Sequence, residues 1–162
     1  MISAVDTNIL PDILIPNTKY AGLSKALLDD ACQRGSLIIN GMVYSELCSQ
    51  FPSKGELDRF LTETGIRLVA STQDALYAAG LAWKEYCAKG GTKIRLCPRC
   101  GAKLQWRCLD CGETVPLRQH ILSDFMIGGF ALKQAGRLLT RDRGYYRTYF
   151  KELKIVNPEP FK

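Results

Sequence analysis

The chain has 162 residues, 46% of them hydrophobic and 23% charged, with a formal net charge of +6. This suits one compact domain with a real core and room for a small insertion, and excludes a disordered polymer. No run approaches the ~20 apolar residues of a membrane span. The N-terminus lacks a basic leader, and Asp6 interrupts its first apolar run, so a cytoplasmic protein without a membrane partner is expected.

In chain order, Ser3 to Val5 reads as a short buried strand, and Asp6-Thr7-Asn8 as the loop after it. Pro11 and Pro16 punctuate the following stretch. Apolar spacing over Ser24 to Cys32 predicts a helix ending near Gly35. Leu37-Ile38-Ile39 is a second strand. Met42 to Phe51 is a helix with Val43, Leu47 and Phe51 on one stripe and Glu46 beside it. Glu56 to Thr64 is a further helix, and Ile66 to Val69 a strand. Ser71-Thr72-Gln73-Asp74 starts a helix running to about Lys89, whose Ala75, Ala78, Ala79 and Ala82 permit close packing. Ser123 is the expected N-cap of a helix from Asp124 to about Gln134. Leu138-Leu139-Thr140 is a strand, Tyr146 to Phe150 one helical turn, and Ile155-Val156 the last strand. Short strands alternating with helices predict an α/β fold with a mainly parallel sheet covered on both faces.

Four acids stand at the edges of these apolar runs: Asp6, Glu46, Asp124 and Asp142. Each alone has an ordinary explanation, as a turn residue, a solvated helix position or a charge favouring a helix N-terminus. Together they sit where ligands bind in parallel sheets, at the carboxyl ends of strands. Converging carboxylates repel one another, and hard cations such as Mg²⁺ or Mn²⁺ relieve that repulsion through oxygen ligands.

The pattern Val5-Asp6-Thr7-Asn8, Ser45-Glu46-Leu47, Leu122 to Ile127 and Leu139 to Tyr146 resembles a PIN domain, and most of all the VapC-type toxins of toxin–antitoxin pairs. The likeness covers about residues 1–92 and 115–160. It implies a three-layer α/β/α fold and a metal-dependent ribonuclease acting on single-stranded or structured RNA. It also implies an antitoxin partner and a homodimer. By motif, Asp6, Glu46, Asp124 and Asp142 take the catalytic and Mg²⁺ or Mn²⁺ roles. Thr7, Asn8 and Thr140 would brace them or position water.

The Cys pairs depart from that family. Cys97/Cys100 and Cys108/Cys111 form two Cys-x-x-Cys knuckles, each followed by Gly, as in a tetrahedral Cys₄ zinc site. Iron could take the same four ligands. Four protein ligands leave no open position, so the ion would be structural. The expected layout is a nuclease domain over 1–92 and 115–162, with a zinc-ribbon insertion over 93–114. One tight hairpin is expected between the knuckles, with Trp106 packing over the site. Cys32, Cys48 and Cys87 read as buried small hydrophobes.

From Lys84 to Arg118 there are eight basic and three acidic residues, a net of +5, leaving about +1 for the rest. Lys93, Arg95, Arg99, Lys103 and Arg107 are therefore candidate RNA contacts. Rival chemistries find little support. His120 is the one histidine and reads as a loop residue, and no Walker A or dinucleotide-binding glycine motif is present. Two other readings remain: an inactive RNA- or protein-binding module using the ribbon, and a PIN-like nuclease of ribosomal RNA maturation.

Overall fold

The structure is a computed structural model describing residues 1–15, 19–89, 95–96, 103–104, 107, 109–112, 122–142 and 144–158. Its main sheet contains β1 (Ile2–Val5), β2 (Ser36–Ile39), β3 (Ile66–Leu68), β6 (Arg137–Leu139) and β7 (Ile155–Val156). The spatial order is β3-β2-β1-β6-β7, and every pairing is parallel. Ser3, Ala4 and Val5 are buried in succession, as are Leu37 to Ile39 and Arg137 to Leu139. Successive strand side chains point to opposite faces, so unbroken burial means that both faces are covered. The chain is thus an α/β protein with the three-layer arrangement expected from its sequence.

Helices supply the cover. A 3₁₀ turn (Thr7–Ile9) runs into α1 (Leu10–Leu14), followed by α2 (Ala21–Gln33). Then come α3 (Gly41–Cys48), α4 (Lys54–Glu63), α5 (Gln73–Ala88), α6 (Leu122–Gln134) and α7 (Tyr145–Tyr149). α5 and α6 approach most closely. A Cβ on Gly129 would lie 2.4 Å from the Ala75 carbonyl oxygen and 2.9 Å from the Ala79 Cβ. Gly128–Gly129 therefore serves helix packing rather than phosphate cradling. At the start of α6, Phe125 is fully buried among rings, with centroids 5.1 Å from Trp83, 5.3 Å from Tyr86 and 5.0 Å from Tyr145. This cluster fixes the end of α6 that carries Asp124.

Several boundaries differ from the sequence reading. The helix α1 was not expected, because Pro11 looked like a break. Pro11 falls in the first turn, where its missing N–H costs nothing. α3 stops at Cys48 instead of Phe51, with the Ser49 hydroxyl donating to the Glu46 carbonyl. Phe51 still packs on Phe60, at 5.2 Å between centroids. Ser123 lies inside the first turn of α6 and is buried, not at its cap. Cys32 and Cys48 are exposed and Cys87 half-buried, against the expectation of three buried thiols. Cys32 and Cys48 fall in the last turns of α2 and α3, just after the buried Ala31 and Leu47.

A separate antiparallel pair joins β4 (Arg95–Leu96) to β5 (Lys103–Leu104). It brackets the first Cys pair in sequence; the hairpin expected between the two pairs falls largely on residues outside those described. Cys97, Cys100, Cys108, Trp106, Lys93, Arg99 and His120 lie outside the described residues. Cys111 is exposed and free, and Gly112 after it adopts φ +72, a conformation that suits glycine. Arg107 is exposed. Among the described residues no helix is long and apolar enough to cross a membrane.

Candidate active site

Strands on one side of β1 follow it in the order β2, β3, while β6 and β7 return on its other side. The topology therefore reverses between β1 and β6. In open parallel sheets the crevice beyond the strand ends at such a reversal is where ligands bind. Val5 pairs with Leu139 in register, and the Asp6 N–H donates to the Leu139 carbonyl at 3.0 Å. Asp6 and Thr140 are thus the first residues beyond two adjacent strands.

A closed set of hydrogen bonds joins them. The Thr140 hydroxyl donates to Asp6 Oδ2 at 2.6 Å. It accepts from Asn8 Nδ2 and from the Asp142 N–H, both at 3.0 Å. One hydroxyl can donate once and accept twice, so Thr140 is fully used. Asn8 Nδ2 also donates to Asp6 Oδ2 at 2.7 Å, and Asn8 Oδ1 accepts the Arg141 N–H at 2.9 Å. Asn8 and Thr140 therefore both touch Asp6. Thr7 contributes a backbone hydrogen bond to the Asp6 carboxylate. Its buried hydroxyl has no hydrogen-bond partner among the described residues.

Asp6 is 5% exposed. Burial pushes its pKa from 3.8 to about 6, against the lowering effect of the Thr140 hydrogen bond, with the Asp124 and Glu46 charges adding to the rise. Those two charges come from the helices beside the edge. Asp124 is half-buried in the first turn of α6, and Glu46 half-buried on α3. Asn40 orders the two helices: its Oδ1 caps α3 at the Val43 N–H, and its Nδ2 donates to the Met126 carbonyl of α6 at 3.2 Å. Asp142 follows β6, where Oδ1 accepts the N–H groups of Gly144 and Tyr146 at 3.0 and 3.3 Å and opens α7. Tyr146 reports the same neighbourhood. Its hydroxyl is pushed upward by burial, then by the charges of Asp6, Asp124 and Asp142.

Three acids thus act on one buried tyrosine, and Glu46 acts on Asp6. Even so, among the described residues no three His, Cys, Asp or Glu side chains stand close enough to hold one metal ion between them. The acids share an electrostatic neighbourhood without forming a closed ligand set.

Two bracing residues escaped the sequence reading. Asn40 had a usable signal, an Asn directly between an apolar strand and a helix, which is an N-cap position. Asn157 had none. Its Nδ2 donates to the carbonyls of Thr140 (2.7 Å) and Asp142 (2.8 Å), across fifteen or more residues of sequence.

No family model matches this sequence, and no curated protein matches it. Solved structures do match. VapBC2 from Rickettsia felis, bound to a DNA fragment from its promoter, superposes with a TM-score of 0.60 at 17% identity, over 98% of this chain and 100% of that chain. FitAcB from Neisseria gonorrhoeae gives 0.60 at 15% identity over 98% of each chain. VapC20 from Mycobacterium tuberculosis, described as a Sarcin-Ricin loop cleaving toxin, gives 0.53 at 15% identity over 94% of this chain and 98% of that one. At these identities the likeness concerns architecture: the chain has the PIN-like fold.

Proposed function

We propose that this protein is a divalent-metal-dependent endoribonuclease that hydrolyses RNA phosphodiesters, acting as the toxin of a type II toxin–antitoxin pair with a cognate antitoxin partner. The observation that carries the reading is Asp6. It is a buried carboxylate at the topological reversal of a parallel sheet, raised to about 6 with Asp124 and Glu46 adding their charge. Fold neighbours described as VapBC and FitAB assemblies on DNA, and one described as a toxin cleaving the sarcin-ricin loop, support it.

The donors fit a hard cation. All are oxygens, Asp6 feels the added charges of Asp124 and Glu46, and the buried Thr7 hydroxyl beside it lacks a partner among the described residues. Asp6, Glu46, Asp124 and Asp142 would hold Mg²⁺ or Mn²⁺. When bound, such an ion lowers the pKa of a water and neutralises phosphate charge. The chain's own part is positional. Thr140 and Asn8 hold Asp6 Oδ2 in place, and Asp142 fixes α7 while its other oxygen faces no partner among the described residues. The Glu46 carboxylate makes no hydrogen bond or ion pair among the described residues, which leaves its oxygens available to a cation.

The test is cleavage of a mixed RNA pool with Mn²⁺ by the wild type and by Asp6→Asn. The substitution should reduce the rate at least ~10²-fold, since a lost metal ligand removes several kcal/mol of charge stabilisation. Equal residual activity in the two proteins would identify a contaminant and end the proposal.

Cys97, Cys100, Cys108 and Cys111 are proposed to hold a structural zinc ion in an insertion over 93–114, with the PIN-like domain over 1–92 and 115–162. The sequence spacing and the positive φ of Gly112 support this. Elemental analysis should find zinc close to one per chain, and Cys108→Ser should abolish it. A metal-free wild-type protein purified without chelator would sink it.

A further inference from the structure

Beside the loop from Thr140 to Asp142 lies a cleft lined by Tyr20, Arg141, Asn157 and Pro158. Arg141 lies in the chain between Thr140 and Asp142, and its backbone N–H donates at 2.9 Å to Asn8 Oδ1, whose Nδ2 holds Asp6, so the cleft adjoins the candidate site. Its guanidinium is held in place before any ligand arrives. The carbon lies 5.1 Å from the centre of the Tyr20 ring, and Nε lies 3.4 Å from Asp12 Oδ2. Asp12 is itself buried and accepts the Ser24 hydroxyl at 2.7 Å. The Arg141 Nε is buried against Asp12, while the side chain as a whole is 35% exposed and its terminal nitrogens make no hydrogen bond among the described residues. A fixed guanidinium with donor capacity left over is suited to a phosphate group.

Two more cations frame the cleft. Lys19 Nζ lies 5.8 Å from the same Tyr20 ring, and an Arg147 terminal nitrogen donates to Asn157 Oδ1 at 3.2 Å. Both residues are exposed. Among the described residues, Asp12 is the one carboxylate ion-paired with any of the three. An RNA strand entering the acidic pocket brings further phosphates with it. Unshielded carboxylates repel those phosphates, and an adjacent cationic rim supplies the compensating attraction.

We propose that Arg141, with Lys19 and Arg147 on the rim, binds a backbone phosphate of the RNA next to the scissile one. The inference rests on the ribonuclease reading for its substrate class, and its test is independent of cleavage. Binding of a mixed-sequence single-stranded RNA oligomer is measured by anisotropy across a salt series, in the Asp6→Asn background. Each phosphate contact removed should flatten the log–log salt slope by ~0.7. Lys19→Gln and Arg147→Gln are exposed changes that should leave the melting temperature in place, and the double variant should bind more weakly with a slope lower by ~1.4. Arg141→Lys keeps the charge but loses the fork, so it should weaken binding while leaving the slope unchanged. Unaltered affinity and slope in the folded Lys19/Arg147 double variant and in Arg141→Gln would overturn the proposal. If wild type cleaves no RNA but these variants still lose binding, the nuclease reading fails and the phosphate site stands. Active wild type with binding unaffected by the variants means the reverse.

Discussion

The pair of strands β1 and β6 buries polar side chains at both ends, and the two ends behave differently. At the amino end Arg137 is 6% exposed, and its Nε donates to the Ser3 hydroxyl at 2.8 Å. One of its terminal nitrogens has no partner among the described residues. At the carboxyl end, about 10 Å along the strand at ~3.3 Å per residue, Asp6 has hydrogen bonds from Thr140, Asn8 and Thr7 and feels two further acids. A buried charge alone therefore does not define a site. What distinguishes the carboxyl end is convergence: the loops after β1 and β6 meet there with α3 and α6. Parallel strands feed loops and helix starts at that end, so several distant segments can each deliver a side chain.

The largest effect separating the two ends should come from Asp6→Asn in metal-free buffer. The folded protein holds the Asp6 proton up to about pH 6, whereas the unfolded chain releases it near 3.8. Between those values the folded state binds more protons, so wild-type stability falls as pH rises from about 4 to 6, and the deficit persists above. Asp6→Asn should remove that deficit, a gain of up to about 3 kcal/mol at pH 7 that shrinks towards zero below pH 4. Urea denaturation of both proteins at the two pH values measures it. A difference independent of pH would mean that Asp6 is not the strained group.

Thr140→Val comes next. It keeps the shape and removes the donor to a buried carboxylate, which should cost about 2 kcal/mol of stability. It should also lower RNA cleavage by roughly tenfold, since Asp6 loses a bond that fixes it. Full activity in a folded Thr140→Val would reduce Thr140 to a strand-end residue. Arg137→Met should do least. A buried charge replaced by an apolar side chain of similar length is often close to neutral, so stability should change by less than about 1.5 kcal/mol with cleavage intact. Lost cleavage there would erase the contrast between the two ends.

Much of this arrangement was written in local pattern. The alternation of short apolar runs with helical stripes gave the parallel sheet, because a strand buried on both faces must be apolar throughout. Asp6 and Asp142 were placed beyond strand ends by the runs preceding them, and the small residues of α5 foretold the close approach of α6 at Gly129. Capping chemistry was less legible. Pro11 signals a helix start as readily as a break, and Ser123 fits a cap or a first turn equally well from sequence.

The amino-acid sequence by itself determined the fold class, the strand order's raw material and the positions of four acids at the edges of apolar runs, since these depend on periodicities and residue types within a few positions of one another. The burial of Asp6 was expected from its place after the first strand, but tertiary structure alone decided how far desolvation raises its carboxyl and that Asn157 ties the Thr140–Asp142 loop. It also decided that Arg141 stands over Tyr20 against Asp12. Each of those outcomes depends on burial or on hydrogen bonds between residues far apart in the chain, and desolvation has no signature in a linear string of residues.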